Sequence, residues 1–150
     1  MFHKSSLLKY GLAFLLISAF YISCDKTEGG GSGSLEPGSG DAEIIEGFIC
    51  SHVADNKPEG IDNSFYPDEL VYLWMQWGNV SGSHTVKVYW VNPDDKVMSE
   101  QEEKFNSTSG KAITHFFIDT TSSAPIGRWL AEVHIDGHFI RSYAFWMNES

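Results

Sequence analysis

From Asp41 onward, apolar and polar residues alternate with a period of two rather than 3.6. Val86, Val88 and Trp90 alternate with Lys87 and Tyr89, and Trp129, Ala131, Val133 and Ile135 alternate with Arg128, Leu130, Glu132 and His134. Such runs are half-buried strands. The pattern predicts seven: Glu43–Val53, Glu69–Trp77, His84–Val91, Val97–Glu103, Lys111–Asp119, Gly127–Ile135 and His138–Met147. Turn-rich breaks separate them at Asn56–Gly60, Gly78–Ser83, Asn92–Asp95, Asn106–Gly110 and Thr120–Pro125. No segment sustains an amphipathic helix. Regularly punctuated short strands imply an all-β sandwich of about seven antiparallel strands, spanning residues 41–150.

The closing hairpin is the strongest local signal. Asp136-Gly137 between two strands predicts a two-residue type I′ turn, in which both central residues take positive φ. Counting outward, Ile135 should face His138, Val133 should face Ile140, Glu132 should face Arg141 and Ala131 should face Ser142. The opposite charges of Glu132 and Arg141 favour that register.

The chain before the sandwich is of another kind. Met1–Lys9 carries Lys4 and Lys9 and no acid, and Gly11–Ile22 is an uncharged apolar run that ends at Ser23 and Cys24. A basic start, a short apolar run and a small residue before a polar turn in composition make a secretory signal peptide, expected over residues 1–23. Asp25–Gly40 is rich in glycine and serine and too polar to bury a core, so residues 24–40 read as a flexible tether. A tether of that length has an r.m.s. span of roughly 20–24 Å.

Two resemblances refine this picture. Tyr21-Ile22-Ser23-Cys24 resembles the lipobox of bacterial lipoproteins, with Tyr21 where that family prefers leucine. The resemblance implies a diacylglycerol on the Cys24 thiol, cleavage before Cys24, and a protein held on the cell membrane or outer membrane, facing periplasm or cell surface. Two or three acyl chains hold a protein on a bilayer, whereas one chain binds only marginally. In the sandwich, Gly127-Arg128-Trp129 followed by Val133, Asp136-Gly137 and Phe145 is similar to the closing hairpin of bacterial immunoglobulin-like domains. That likeness implies a fold and no activity, and this chain lacks the paired core cysteines of antibody-type domains.

Composition narrows the chemistry. The 150 residues carry 10 Lys+Arg against 20 Asp+Glu, a formal charge of −10 that becomes −12 once Lys4 and Lys9 leave with the signal. Nucleic-acid binding needs a basic footprint, so no nucleic-acid partner is expected. With Cys24 lipidated, Cys50 stands alone in an apolar run and reads as a buried, inert thiol. His134 and His138 bracket the Asp-Gly turn on opposite hairpin faces, so no metal site is expected, and no cofactor is implied. Asp94-Asp95 reads as a turn, and Glu100, Glu102 and Glu103 as charges on an edge strand that block edge-to-edge pairing. No nucleophile elbow or Cys/His pattern is present, so no catalytic residues are assigned.

Aromatic residues, 14% of the chain, are the richest remaining feature. Tyr72 and Trp74 share one strand face, opposite Leu73, Met75 and Trp77. Phe139, Tyr143 and Phe145 share the face opposite Ile140, Ala144 and Trp146. Tyr72, Trp74, Phe139 and Tyr143 are therefore the candidate binding residues. The expectation is a lipid-anchored, non-catalytic binding or assembly module of the bacterial envelope, with an envelope protein or a glycan as partner. Two readings stand against it: recognition of a cell-wall polysaccharide through exposed aromatics, and a small periplasmic enzyme using His134, His138 and nearby acids.

Overall fold

The structure, a computed structural model, describes residues 42–149; the expected signal peptide, Cys24 and the tether lie outside these residues. Nine strands and no helix occur among the described residues: β1 Glu43–Ala54, β2 Lys57–Ile61, β3 Ser64–Phe65, β4 Leu70–Gly78, β5 Ser83–Val91, β6 Val97–Asn106, β7 Ala112–Asp119, β8 Gly127–Ile135 and β9 His138–Met147. They form two sheets, ordered β2-β1-β4-β7 and β3-β9-β8-β5-β6. The chain passes between sheets after β2, after β3, after β4, after β6 and again after β7. All pairings are antiparallel except β3 with β9, where Ser64 faces Trp146 and Phe65 faces Met147. This is an immunoglobulin-like β-sandwich.

The seven expected strands are present, with ends moved by up to three residues. Of the two extra strands, β2 corrects the reading of Asn56–Gly60 as a plain break, and β3 adds a short strand at Ser64–Phe65. Asp55 and Asn56 take φ of 50° and 59° and form the two-residue turn themselves, so the chain returns at once as β2. Pro58 and Gly60 fit there because β2 is an edge strand, where a missing N–H costs no ladder bond.

The closing hairpin keeps its turn, with Asp136 and Gly137 at φ 49° and 84°, but not its expected register. His134 faces Phe139 and Val133 faces Arg141, so Ile140 is the extra residue of a β-bulge. Glu132 consequently faces Ser142 rather than Arg141, and Ala131 faces Tyr143. The bulge also changes faces: Phe139 no longer shares a side with Tyr143 and Phe145. A one-residue insertion reverses which side chains point inward, and the large inward rings Tyr143 and Phe145 outweigh one exposed charge pair.

The core lies between the sheets. Val71, Leu73, Met75 and Trp77 of β4 meet Val86, Val88 and Trp90 of β5, Trp129, Ala131 and Val133 of β8, and Phe145 of β9. Burying each large apolar side chain contributes about 1.5–3 kcal/mol. Where antibody-type domains place a disulfide against a tryptophan, Phe145 lies 6.0 Å from both Trp90 and Trp129. Each buried indole N–H has an acceptor: Trp77 donates to Thr114 Oγ1 (2.9 Å), Trp129 to the Pro125 carbonyl (2.8 Å), Trp74 to the Asn56 carbonyl (2.9 Å) and Trp90 to Gln101 Oε1 (3.3 Å).

Candidate binding surface

The four aromatic residues expected to bind do not form one site. Tyr72 and Trp74 lie on the outer face of the β2-β1-β4-β7 sheet, because Val71, Leu73 and Met75 fill the core. Trp74 is nevertheless only 4% exposed. Phe48 stacks on it at 6.1 Å, and its indole reaches the carbonyl of Asn56 at the tip of the β1–β2 hairpin. Cys50, also on β1, is fully buried as expected. Burial pushes its thiol up, and hydrogen bonds involving the backbone of His52 and Glu59 offset only part of that.

Phe139 and Tyr143 belong to the other sheet. Phe139 is 57% exposed near the hairpin tip, 5.5 Å from His134, which in turn lies 5.1 Å from Tyr89. Tyr143 turns inward against the core, and its hydroxyl is buried with no hydrogen-bond partner among the described residues. It packs directly over Gly47, where any side chain would collide with the phenol. Of the four, Phe139 is exposed, Tyr72 and Tyr143 are half-buried and Trp74 is buried, and the four are divided between the two sheets.

The polar candidates hold structural positions. His134 faces Phe139 while His138 faces Ile135, so the two sit on opposite hairpin faces. Among the described residues no three His, Cys, Asp or Glu side chains converge in a way that could hold a metal ion. Glu100 and Glu102 flank Lys87, whose amine reaches them at 2.6 Å and 3.5 Å. Hydrogen bonding to Glu100 is the main cause that holds the Lys87 amine above its ordinary value. Asp95 closes a turn in which Asn92 Oδ1 accepts from the amides of Asp94 (3.0 Å) and Lys96 (2.9 Å). On β6, Glu103 turns toward the open edge of the sandwich. Burial pushes its carboxyl up, and His115 on β7 opposes that shift.

A different arrangement emerges at that open edge. Ile61, Cys50, Tyr72 and Phe117 form one transverse row across β2, β1, β4 and β7. The Tyr72 and Phe117 rings lie 5.5 Å apart, and His52 meets Tyr72 edge-on at 6.3 Å. Phe117 is 46% exposed. It borders a cleft of about 480 Å³ between β6, β7 and the β7–β8 loop. Met98, Gln101, Phe117, Asp119, Thr121 and Trp129 are among its lining residues. Gln101 fixes the cleft by bridging the sheets: its Nε2 donates to the Phe117 carbonyl at 2.7 Å while its Oε1 accepts from Trp90.

Sequence reasoning passed over Phe117, Gln101 and Asp119. A signal for Phe117 was present in the Phe116-Phe117 doublet: adjacent residues of a strand point to opposite faces, so one ring of the pair must leave the core. Gln101 carried no comparable signal, because its role depends on a strand in the other sheet.

No protein-family model matches the chain, and no curated protein matches it by sequence. Solved structures do resemble it. The alkylpurine DNA glycosylase AlkC of Pseudomonas fluorescens, bound to DNA containing an abasic-site analogue, superimposes with TM-score 0.54 and 11% identity over 73% of this chain. This chain spans only 31% of that glycosylase. The C-terminal domain of Wzt matches with TM-score 0.52 and 13% identity over 74% of each chain. An immunoglobulin-like protein of Pseudomonas aeruginosa matches with TM-score 0.48 and 10% identity over 75% of this chain and 100% of its own. At such identities the first two show a shared fold and nothing more. The class defined is a β-sandwich module of immunoglobulin-like architecture.

Proposed function

We propose that this chain is a lipid-anchored, non-catalytic binding module of the bacterial envelope. Cys24 carries the anchor, residues 24–40 supply reach, and the sandwich presents the binding surface. The observation that supports binding is the exposed Phe117 ring, which borders the cleft and lies 5.5 Å from Tyr72 on the outer face. The core between the sheets is complete without Phe117, so its exposure serves no packing purpose there. No helix of the described residues is long and apolar enough to cross a membrane, and attachment in this reading rests on the lipid alone.

Detergent phase separation of membranes from cells expressing the chain tests the anchor. The wild-type chain should enter the detergent phase and Cys24→Ala the aqueous phase. A Cys24→Ala chain that still partitions with detergent overturns the proposal.

A further inference from the structure

We infer that the cleft between β6 and β7 takes a short segment of a neutral glycan, with Phe117 as the ring against which a sugar lies; this rests on the binding-module reading above and names its ligand. The lining alternates two kinds of surface. Met98, Phe117, Pro125 and Trp129 are apolar, while Ser99, Gln101, Asp119, Thr121 and Ser123 offer hydroxyl, amide and carboxylate groups. A sugar has the same duality, with an apolar C–H face and a rim of hydroxyls that donate and accept. A volume of about 480 Å³ falls within the range in which small ligands are held.

The same residues argue against other occupants. No lysine or arginine lines the cleft, and Asp119 contributes a negative charge, so phosphorylated or acidic saccharides would meet repulsion without a partner. An extended peptide could add to the free edge of β7 only by displacing Gln101 from the Phe117 carbonyl, which its amide holds at 2.7 Å. That displacement would also strip the Trp90 indole of its acceptor. An acyl chain would leave the hydroxyls and the Asp119 carboxylate facing hydrocarbon without partners. Asp119 and the Thr121 hydroxyl instead suit the rim of a saccharide, as acceptors and donors that remain solvated until the ligand arrives.

The test uses the full chain, solubilised in a detergent without a sugar headgroup. The probes are tetrasaccharides of glucose, galactose, mannose and N-acetylglucosamine, with a uronic-acid tetrasaccharide as the charged comparison. Binding is followed by calorimetry and by tryptophan fluorescence, since Trp129 lines the cleft. At least one neutral probe should bind saturably, Phe117→Ala should weaken it about tenfold or more, and Asp119→Asn should weaken it severalfold. Ile140→Ala, at the exposed β8–β9 hairpin and outside the cleft lining, should leave binding unchanged. Melting curves confirm that each variant is folded, and Asp119→Asn carries the test if Phe117→Ala does not fold. Absence of saturable binding by every neutral probe, preference for the uronic acid, undiminished binding by Phe117→Ala and Asp119→Asn, or equal loss in Ile140→Ala each overturns the inference. Detergent partition of the same samples keeps the anchor separate: a chain that partitions but binds no sugar sinks only the glycan claim.

Discussion

The Asp136 carboxylate ties the β8–β9 turn to the start of β5: one oxygen meets His84 Nδ1 at 2.8 Å while the other accepts from the Thr85 amide at 2.9 Å. The Asp136 amide returns a bond to the Thr85 carbonyl at 2.8 Å, so the pairing is reciprocal. His84 is itself buried, with Nε2 at 3.1 Å from the Ser81 carbonyl. A turn residue thus anchors a neighbouring strand as well as reversing its own.

This clamp should be visible in acid. Burial would push the Asp136 carboxyl up, but the Thr85 amide, His84 and the charge of His138 together hold it below its ordinary value. A carboxyl depressed in the folded state contributes stability above its unfolded pKa and loses that contribution as pH falls through the folded one. Asp136→Asn keeps a residue that tolerates positive φ while removing the charge. Its acid-unfolding curve should therefore be shallower than wild type below about pH 4, and its melting temperature lower near neutrality. Superimposable acid curves would sink this account.

Two glycines should respond for different reasons. Gly137 has φ 84° and open space around it, so Gly137→Val should cost about 1–2 kcal/mol through the backbone alone. Gly47 lies beneath the Tyr143 phenol, so Gly47→Ala should cost about 1–3 kcal/mol through overpacking. Tyr143→Phe removes a buried hydroxyl that has no partner among the described residues, and should leave stability unchanged or raise it. Combined with Gly47→Ala it should recover part of the loss. Urea midpoints measure all four, and additive losses in the double variant would contradict the contact.

Cys50 should be unreactive while the domain is folded. In a Cys24→Ala chain, a thiol reagent should label Cys50 slowly in buffer and rapidly in denaturant, because the side chain is fully buried and burial raises its thiol pKa. Equal rates in the two conditions would mean that the β1–β2 hairpin does not cover it.

Gln101→Ala removes the partner of both the Trp90 indole N–H and the Phe117 carbonyl. A loss of about 1–3 kcal/mol is expected from the unsatisfied buried donor. The variant should also self-associate more readily, since the β7 edge loses the side chain that occupies it. Unfolding in urea and light scattering at rest check the two effects separately.

Much of the fold was legible because it is local. Both strands of the closing hairpin have the ends that alternation assigns them, and the Asp136-Gly137 turn is written in its residues. The bulge at Ile140 was not legible, since Glu132 opposite Arg141 makes an equally sensible pair until the core demands Tyr143 and Phe145. Pro58 and Gly60 read as turn residues because an edge strand tolerates the same types. At the surface, alternation placed Tyr72 and Trp74 on one face correctly. It could not show that the β1–β2 hairpin would return over Trp74, or that Gln101 would reach from the other sheet to Phe117. Features made by contacts distant in sequence were the ones missed.

The parallel pairing of β3 with β9 governs the order of assembly. Ser64 finds its strand neighbour only at Trp146, and the Asn148 amide nitrogen donates back to the Ser64 hydroxyl at 2.7 Å. Residues from the two ends of the domain must therefore meet before the second sheet has its edge. A chain still being made, with β9 not yet available, cannot complete the sandwich however long it waits, which keeps it threadable until β9 has been made. For a protein exported as proposed above, that delay is built into the topology.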